Sequence, residues 1–124
     1  MPKRVLIADD EENIVTALEF LLQRRGYETR VAKNGDDALS EVESFAPDLV
    51  LLDIMMPRKS GYEVCQRMRS RPEWRHIKII MLSAKGRDVE VSKGVSLGAD
   101  LYITKPFSNT ELVAKIDGLL AGRA

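Results

Sequence analysis

The feature that most constrains the fold of this chain is a regular alternation between short apolar runs and stretches with a helical period. The apolar runs have the length of strands, and they lie at 4–8, 27–32, 49–53, 77–83 and 100–105. Most of them are apolar throughout, as expected for strands that are covered on both faces. Because parallel strands need long crossovers, which are usually helices, the pattern predicts an α/β fold with a doubly wound parallel sheet.

The stretches between these strands carry apolar residues at the spacing of one face of an α-helix. We expect Gly26 and Pro47 to end the first two helices. A short, weakly amphipathic helix is predicted at 87–97, ended by Gly98. The apolar stripes of the other four helices are Ile14, Leu18, Leu21 and Leu22; Ala38, Leu39, Val42 and Phe45; Tyr62, Val64, Cys65 and Met68; and Leu112, Val113, Ile116, Leu119 and Leu120.

Length and composition are those of a single globular domain. With 124 residues, 44% hydrophobic and 31% charged, the chain can bury its own core, and we expect residues 1–124 to form one domain. The formal net charge is zero, so no overall field attracts nucleic acid or a membrane surface. The single cysteine, Cys65, excludes an internal disulfide, and no apolar run is long enough to span a bilayer. A reducing, cytoplasmic setting fits these features.

Polar residues that can carry chemistry stand where the predicted strands end. Asp9 and Asp10 follow the first strand, Asp53 ends the third, Ser83 ends the fourth and Lys105 ends the fifth. The carboxyl ends of parallel strands lie at one edge of the sheet, and open α/β folds bind their ligands there. We therefore expect three carboxylates, a hydroxyl and an amine to meet in one site.

Taken singly, each of these residues also has a structural explanation. The acidic pair could cap the first helix, because Asp9 and Glu12 have the spacing of a capping box. Asp53 could accept backbone N–H bonds in a turn, and Ser83 could cap the helix that follows it. Lys105 could be an extended residue before a proline. Five unrelated roles explain the convergence on one edge less well than a single site does.

The chemistry of that set favours a metal-assisted phosphoryl acceptor. Three carboxylates packed together repel one another unless a cation lies between them. Oxygen ligands without His or Cys suit Mg²⁺, which is commonly held by carboxylates and phosphate oxygens. Lys105 and Ser83 can bond phosphoryl oxygens, and Asp53 can then act as a nucleophile that forms an aspartyl phosphate.

Four motifs in this order carry a family resemblance that covers the whole chain. They are the acids at 9 and 10, "LVLLDIMMPRKSG" around Asp53, "IIMLSA" with Ser83, and "GADLYITKPF" with Lys105. Together they resemble the receiver domain of bacterial two-component response regulators. The resemblance implies a flavodoxin-like (βα)5 fold with strand order 2-1-3-4-5.

The resemblance also implies a function and a metal site. Asp53 would take a phosphoryl group from a phosphohistidine of a sensor histidine kinase or phosphotransfer protein. The chain would not be an enzyme acting on other molecules, because it would catalyse only its own phosphorylation and dephosphorylation. Asp10, Asp53 and the backbone carbonyl of Met55 would bind Mg²⁺, and Asp9 would act largely through water.

Further roles follow from the same resemblance. Ser83 and the Ala84 amide would hold phosphoryl oxygens, Lys105 would pair with the phosphate, and the Lys105–Pro106 bond would be cis. Closure of Ser83 on the phosphoryl group would draw Tyr102 inward and switch the surface made by the segment 87–97, the fifth strand and the last helix.

The sequence leaves the partners and the output open. Winged-helix regulators of the family typically carry an acid and an arginine where this chain has Leu101 and Asp117. We therefore do not expect that dimer mode, although another homodimer stays open. The chain is either a stand-alone regulator or the N-terminal receiver of a longer protein, and its kinase, stimulus and output cannot be read from these residues.

Three other classes of protein fit the sequence less well than the receiver does. A flavodoxin-like electron carrier needs a loop after the first strand that accepts phosphate, whereas "DDEEN" repels it without a metal. A phosphatase that uses an aspartyl phosphate usually has a second acid two residues after the nucleophile, where this chain has Met55. A degenerate receiver that only binds partners is the third, but all five site positions match the active pattern of the family.

We expect His76 to be a surface imidazole and Cys65 to pack as a small apolar residue.

Overall fold

The computed structural model describes residues 2–84 and 98–121, and within them it contains one five-stranded parallel sheet. The strands are β1 (Arg4–Ala8), β2 (Glu28–Ala32), β3 (Leu49–Asp53), β4 (Lys78–Ala84) and β5 (Leu101–Lys105). Their order is β2-β1-β3-β4-β5, and every neighbouring pair is parallel. The predicted flavodoxin-like topology is confirmed, and the strand ends differ from the predicted ones by one residue at most.

Four α-helices lie in the described residues. They are α1 (Glu12–Arg24), α2 (Gly35–Phe45), α3 (Gly61–Ser70) and α4 (Asn109–Leu120), and a short 3-10 helix (Pro72–Trp74) follows α3. All four α-helices were predicted from their apolar stripes, but the 3-10 helix was not. The helix predicted at 87–97 falls outside the described residues.

The ends of these helices follow ordinary capping rules, with one exception at the edge that carries the acids. Asn34, Ser60 and Ser108 begin α2, α3 and α4, and each side chain accepts a hydrogen bond from the backbone N–H three residues later. Gly26 follows α1 with φ of +90°, as predicted for the residue that ends it. The N-cap of α1 is Glu11, whose side chain makes no capping hydrogen bond.

The apolar residues form one core on each face of the sheet, which explains why the central strands β1 and β3 are buried almost throughout. In β3, Leu49 and Leu51 pack into the cluster that α1 and α4 cover, whereas Val50 and Leu52 pack into the cluster that α2 and α3 cover. Cys65 is buried in the second cluster, as expected for a small apolar residue, and His76 is exposed.

Along residues 2–84 and 98–121, no helix is both long enough and apolar enough to cross a membrane.

Candidate functional site

The sheet register brings three carboxylates together at the carboxyl ends of β1 and β3. Ala8 pairs with Leu52, so the next residues, Asp9 and Asp53, emerge side by side. Asp10 joins them, and each of the three acids offers a carboxylate oxygen within 4.8 Å of the others. Asp9 and Asp53 are buried, whereas Asp10 is exposed. The predicted acidic cluster is therefore present, with its two buried members on neighbouring strands.

Asp53 lies in an environment that disfavours its charge. It is 5% exposed. Burial and then the charge of Asp9 raise its pKa to about 7, although Lys105 and the backbone N–H of Met55 act in the opposite direction. Met55 N donates to Asp53 Oδ1 at 3.3 Å, so Asp53 also accepts the turn hydrogen bond considered from the sequence. A cation among these carboxylates would relieve the repulsion that burial and Asp9 impose on Asp53.

Lys105 reaches the acids from the end of β5. Its Nζ lies 3.1 Å from Asp9 Oδ2, 3.5 Å from Asp53 Oδ2 and 2.7 Å from Glu11 Oε1. Burial alone would lower the pKa of Lys105, but the hydrogen bond to Glu11 and the charges of Asp53 and Asp9 raise it above its usual value. Lys105 is thus a fixed positive charge beside the predicted nucleophile. The bond between Lys105 and Pro106 is cis, as the resemblance implied.

Ser83 brings a buried hydroxyl to the same edge. Asp53 pairs in register with Leu82, so Ser83 stands one residue further along the neighbouring strand. Its side chain is 1% exposed, and its hydroxyl has no hydrogen-bond partner among residues 2–84 and 98–121. Buried hydroxyls are almost always bonded, so this one is available to an oxygen that residues 2–84 and 98–121 do not supply. The alternative role as a cap for the next helix falls outside the described residues.

The capping-box interpretation of Asp9 and Glu12 is wrong. The N-cap position belongs to Glu11, and Asp9 Oδ1 accepts the Glu11 backbone N–H at 2.9 Å. Glu12 forms an ion pair with Lys33, which directly follows β2. A capping box needs the third residue of the helix to bond back to the N-cap, and Glu12 is the first helical residue here. Asp9 therefore orders the start of α1 with one oxygen and faces Lys105 with the other.

The loop from β3 to α3 is closed tightly over the end of β3. Ile54 N donates to Leu82 O at 3.2 Å, and Gly61 N donates back to Ile54 O at 2.9 Å. A Cβ at Gly61 would lie 2.4 Å from Asp53 O, so only glycine allows this approach. The Met55 side chain is 63% exposed. These bonds hold the backbone of Met55, whose carbonyl is the remaining predicted metal ligand, next to Asp53.

The same loop docks on the start of α2, which the sequence did not indicate. Gly35 N donates to Pro57 O at 3.2 Å, and Lys59 Nζ donates to Asp36 Oδ1 at 2.6 Å. The hydrogen bond from Lys59 holds the pKa of Asp36 below its ordinary value. Arg58 adopts φ of +70°, a conformation that costs a residue with a Cβ about 1 kcal/mol or more. The docking therefore holds a strained loop in place.

Tyr102 and Asp117 are not members of the acidic cluster. Tyr102 is half-buried on β5 and packs against the core cluster under α2 and α3. Asp117 on α4 accepts hydrogen bonds from Arg25 and from the Tyr27 hydroxyl. Burial, followed by the bond to Asp117, raises the pKa of Tyr27 to about 12. Asp117 is therefore engaged within the chain, and the segment 87–97 of the predicted switch surface lies outside the described residues.

The donor set of this edge fits Mg²⁺. It offers carboxylate oxygens of Asp9, Asp10 and Asp53 within 4.8 Å of one another, and this group contains no His or Cys. Hard divalent cations prefer oxygen ligands of this kind, and Mg²⁺ commonly combines one or two carboxylates with phosphate oxygens. Lys105 lies 3.5 Å from Asp53, and Ser83 ends the neighbouring strand with a buried hydroxyl that has no partner among residues 2–84 and 98–121. Fold and site together define a class, a phosphoacceptor switch built on a parallel α/β sheet.

Comparison with known proteins specifies this class. Residues 5–117 match the family model of the response regulator receiver domain. The chain belongs to this family, whose members act in phosphorylation-dependent signalling. It is 42% identical over 120 residues to the alkaline phosphatase synthesis transcriptional regulatory protein PhoP of Bacillus subtilis, covering 97% of this chain and 49% of that protein. The chain thus spans about half the length of this curated relative.

Solved structures give the same result. The signal receiver domain of a signal transduction histidine kinase from Syntrophus aciditrophicus is 31% identical, with a TM-score of 0.90 over 97% of this chain and 91% of that one. A CheY-like response regulator receiver domain protein from Methanospirillum hungatei is 30% identical, with a TM-score of 0.90 over 98% of this chain and 96% of that one. The fold and family expected from the sequence are therefore confirmed.

Proposed function

We propose that Asp53 accepts a phosphoryl group from a phosphohistidine of a sensor histidine kinase or phosphotransfer protein, in a reaction that requires Mg²⁺. On this proposal, residues 1–124 form one receiver domain that catalyses only its own phosphorylation and dephosphorylation. The observation that carries the proposal is the position of Asp53, which ends β3 within 4.8 Å of Asp9 and Asp10 and lies 3.5 Å from Lys105. A buried carboxylate so placed can attack a phosphorus atom from a fixed position.

The transfer exchanges one bond to phosphorus for another. An oxygen of Asp53 forms the new P–O bond while the P–N bond to the donor imidazole breaks, and the electron pair leaves with the imidazole, which takes up a proton. Bound Mg²⁺, held by Asp10, Asp53 and the Met55 carbonyl with Asp9 acting largely through water, would supply positive charge to the phosphoryl oxygens.

Two side chains on neighbouring strands would hold the transferred group. The Lys105 ammonium can pair with one phosphoryl oxygen, and the Ser83 hydroxyl can donate to another, together with the Ala84 amide. The free, buried hydroxyl of Ser83 supports this assignment, because it has a donor to offer without breaking a bond among the described residues. Both groups stand on strand ends, so the backbone that carries each side chain is held by the sheet close to Asp53.

We further propose that the signal leaves through the surface made by the segment 87–97, β5 and α4, with Tyr102 moving inward as Ser83 closes. The downstream partner or output domain is not identified by these residues. Asp117 accepts hydrogen bonds from Arg25 and Tyr27 of the same chain. These bonds support the expectation that Asp117 does not form the ion pairs across the dimer that winged-helix regulators use. Any homodimer would use other contacts. The domain would act in the cytoplasm, where ATP is available to the kinase.

The experiment is phosphorylation by a small phosphodonor such as phosphoramidate, followed by intact-protein mass spectrometry. With Mg²⁺ the wild type should gain one phosphoryl group, and removal of Mg²⁺ or Asp53→Asn should abolish the gain. Asp37→Asn is the matched control, because Asp37 is an exposed aspartate of α2. Labelling that survives in Asp53→Asn would refute the assignment. A wild type that never labels would instead favour the degenerate receiver that only binds partners.

A further inference from the structure

Glu11 makes the shortest contact that Lys105 has in the site. Glu11 Oε1 lies 2.7 Å from Lys105 Nζ, compared with 3.1 Å for Asp9 and 3.5 Å for Asp53. The two residues are 94 positions apart in the chain, and the bond joins the start of α1 to the end of β5. Glu11 is not among the acids that share the candidate metal position. It therefore binds the lysine without belonging to the metal cluster.

At the start of α1, the side chain of Glu11 does not act as a helix cap. It occupies the N-cap of α1, where Ser, Thr, Asp and Asn are preferred, and its side chain makes no capping bond. The backbone N–H of Glu11 is satisfied by Asp9 instead. A residue that is disfavoured by the local structure is often explained by a contact with a distant part of the fold. Among residues 2–84 and 98–121, the bond to Lys105 is the interaction that accounts for the side chain of Glu11.

A phosphoryl group on Asp53 would have to compete for Lys105. An ammonium has three N–H donors, and three carboxylates already surround this one. Asp9 is buried and fixed by its bond to the start of α1, and Asp53 would itself carry the group. The Glu11 side chain is 57% exposed, so its carboxylate can rotate into water at little cost. Glu11 is thus the partner that Lys105 can exchange for a phosphoryl oxygen.

We infer that Glu11 competes with the phosphoryl group for Lys105 and thereby weakens the hold of the site on that group. The inference rests on the proposed function and deepens it, because it assigns to Glu11 a positioning role that acts through Lys105. In the unphosphorylated protein Glu11 keeps the ammonium at the mouth of the site. In the phosphorylated protein the ammonium bonds the phosphoryl oxygen, and the Glu11 carboxylate is released at the start of α1.

The test measures binding of beryllofluoride, a mimic of the phosphoryl group, by calorimetry at saturating Mg²⁺. Glu11→Gln removes the competing charge while keeping the size of the side chain. Glu12→Gln is the matched control, because Glu12 is the next residue of the same helix end but pairs with Lys33 rather than Lys105. We expect Glu11→Gln to bind beryllofluoride about three- to tenfold more tightly than wild type, and Glu12→Gln to stay within about twofold.

A second measurement follows the Lys105 ammonium itself by ¹H–¹⁵N NMR in the metal-free protein. Its resonance should shift in Glu11→Gln and stay in place in Glu12→Gln, because only Glu11 contacts this ammonium. A resonance that does not move in Glu11→Gln would overturn the contact, and the gain in beryllofluoride affinity is the result that a purely structural role of Glu11 would not produce. Unchanged or weaker beryllofluoride binding by Glu11→Gln, or an equal gain in Glu12→Gln, would overturn the competition while leaving the proposed function intact. A wild type that binds no beryllofluoride in the presence of Mg²⁺ would overturn both.

Discussion

Replacing Asp53 by asparagine should stabilise the metal-free protein, although it removes the proposed phosphoacceptor. Asp53 is 5% exposed, and burial together with Asp9 raises its pKa from 3.8 to about 7. At about 1.4 kcal/mol for each pH unit, ionising this buried carboxyl in the folded state costs up to about 4 kcal/mol. Asparagine carries no charge and keeps an oxygen that can accept the Met55 N–H. We expect Asp53→Asn to raise the free energy of unfolding by about 2 to 4 kcal/mol at pH 8.

The pH dependence has a definite sign. Because the folded-state pKa is raised, the folded protein binds more protons than the unfolded chain between about pH 4 and pH 7. The stability of the wild type should therefore fall as the pH rises through this window, whereas Asp53→Asn should not show that loss. The advantage of the variant should be near zero at pH 4 and complete above pH 7.

The assay is denaturant unfolding in a chelator at pH 4, 6 and 8, with the slope on denaturant checked for two-state behaviour. Asp10→Asn provides the comparison, because Asp10 belongs to the same cluster but is exposed and should gain less. With Mg²⁺ present, the wild type should become more stable than Asp53→Asn, because the wild type keeps all three carboxylates and should bind the ion more tightly. If Asp53→Asn is no more stable than wild type at pH 8, or gains equally at pH 4, burial and repulsion do not govern this carboxyl.

Two further changes test the metal site and the packing of α4. Asp10→Ala should remove most of the thermal stabilisation that Mg²⁺ gives the wild type, as measured by differential scanning fluorimetry, whereas unchanged stabilisation would mean that Asp10 is no ligand. Tyr27→Phe should cost about 1 kcal/mol in denaturant unfolding, because its hydroxyl donates to the Asp117 carboxylate. The pKa of Tyr27 is raised to about 12, so this contribution should persist to pH 10 and be lost as the pH rises towards 12, and a flat profile would contradict it.

Much of the fold could be predicted because its elements depend on local patterns. β1 and β3 match their predicted bounds, since runs that are apolar on both faces leave little doubt about where a strand begins and ends. The acidic cluster was also predictable, because the register of parallel strands brings their carboxyl ends together. These inferences need only the periodicity of the chain and the geometry of a sheet.

The contacts that were missed join residues far apart in the chain. The bond from Lys105 to Glu11 spans 94 positions, and that from Tyr27 to Asp117 spans 90. A long side chain on a predicted strand end can reach several neighbours, and periodicity does not say which. The run of four acids after β1 did indicate that one of them has a further partner, because a metal site of this kind needs fewer acids from one loop. Only placement in three dimensions separates Glu11, which faces the lysine, from Glu12, which does not.

The docking of the loop after β3 on the start of α2 leads to the last prediction. Gly35 N donates to Pro57 O, and a Cβ at Gly35 would lie 2.2 Å from Lys59 O and 2.4 Å from Lys59 Cβ. The obstacle includes backbone, so the loop itself must move if alanine replaces this glycine. The same loop carries the Met55 carbonyl. Gly35→Ala should therefore affect metal binding as well as stability.

We expect Gly35→Ala to lower the free energy of unfolding by about 1 to 3 kcal/mol, the usual cost of forcing a side chain into a packed contact. Gly118→Ala is the matched control, because a Cβ at Gly118 within α4 meets nothing within 4 Å. That change should raise stability by up to about 1 kcal/mol through helix propensity. Fluorimetry with and without Mg²⁺ should show weaker Mg²⁺ stabilisation in Gly35→Ala alone. If Gly35→Ala instead matches Gly118→Ala in both stability and Mg²⁺ response, the docking of the loop on α2 does not position the proposed metal ligand.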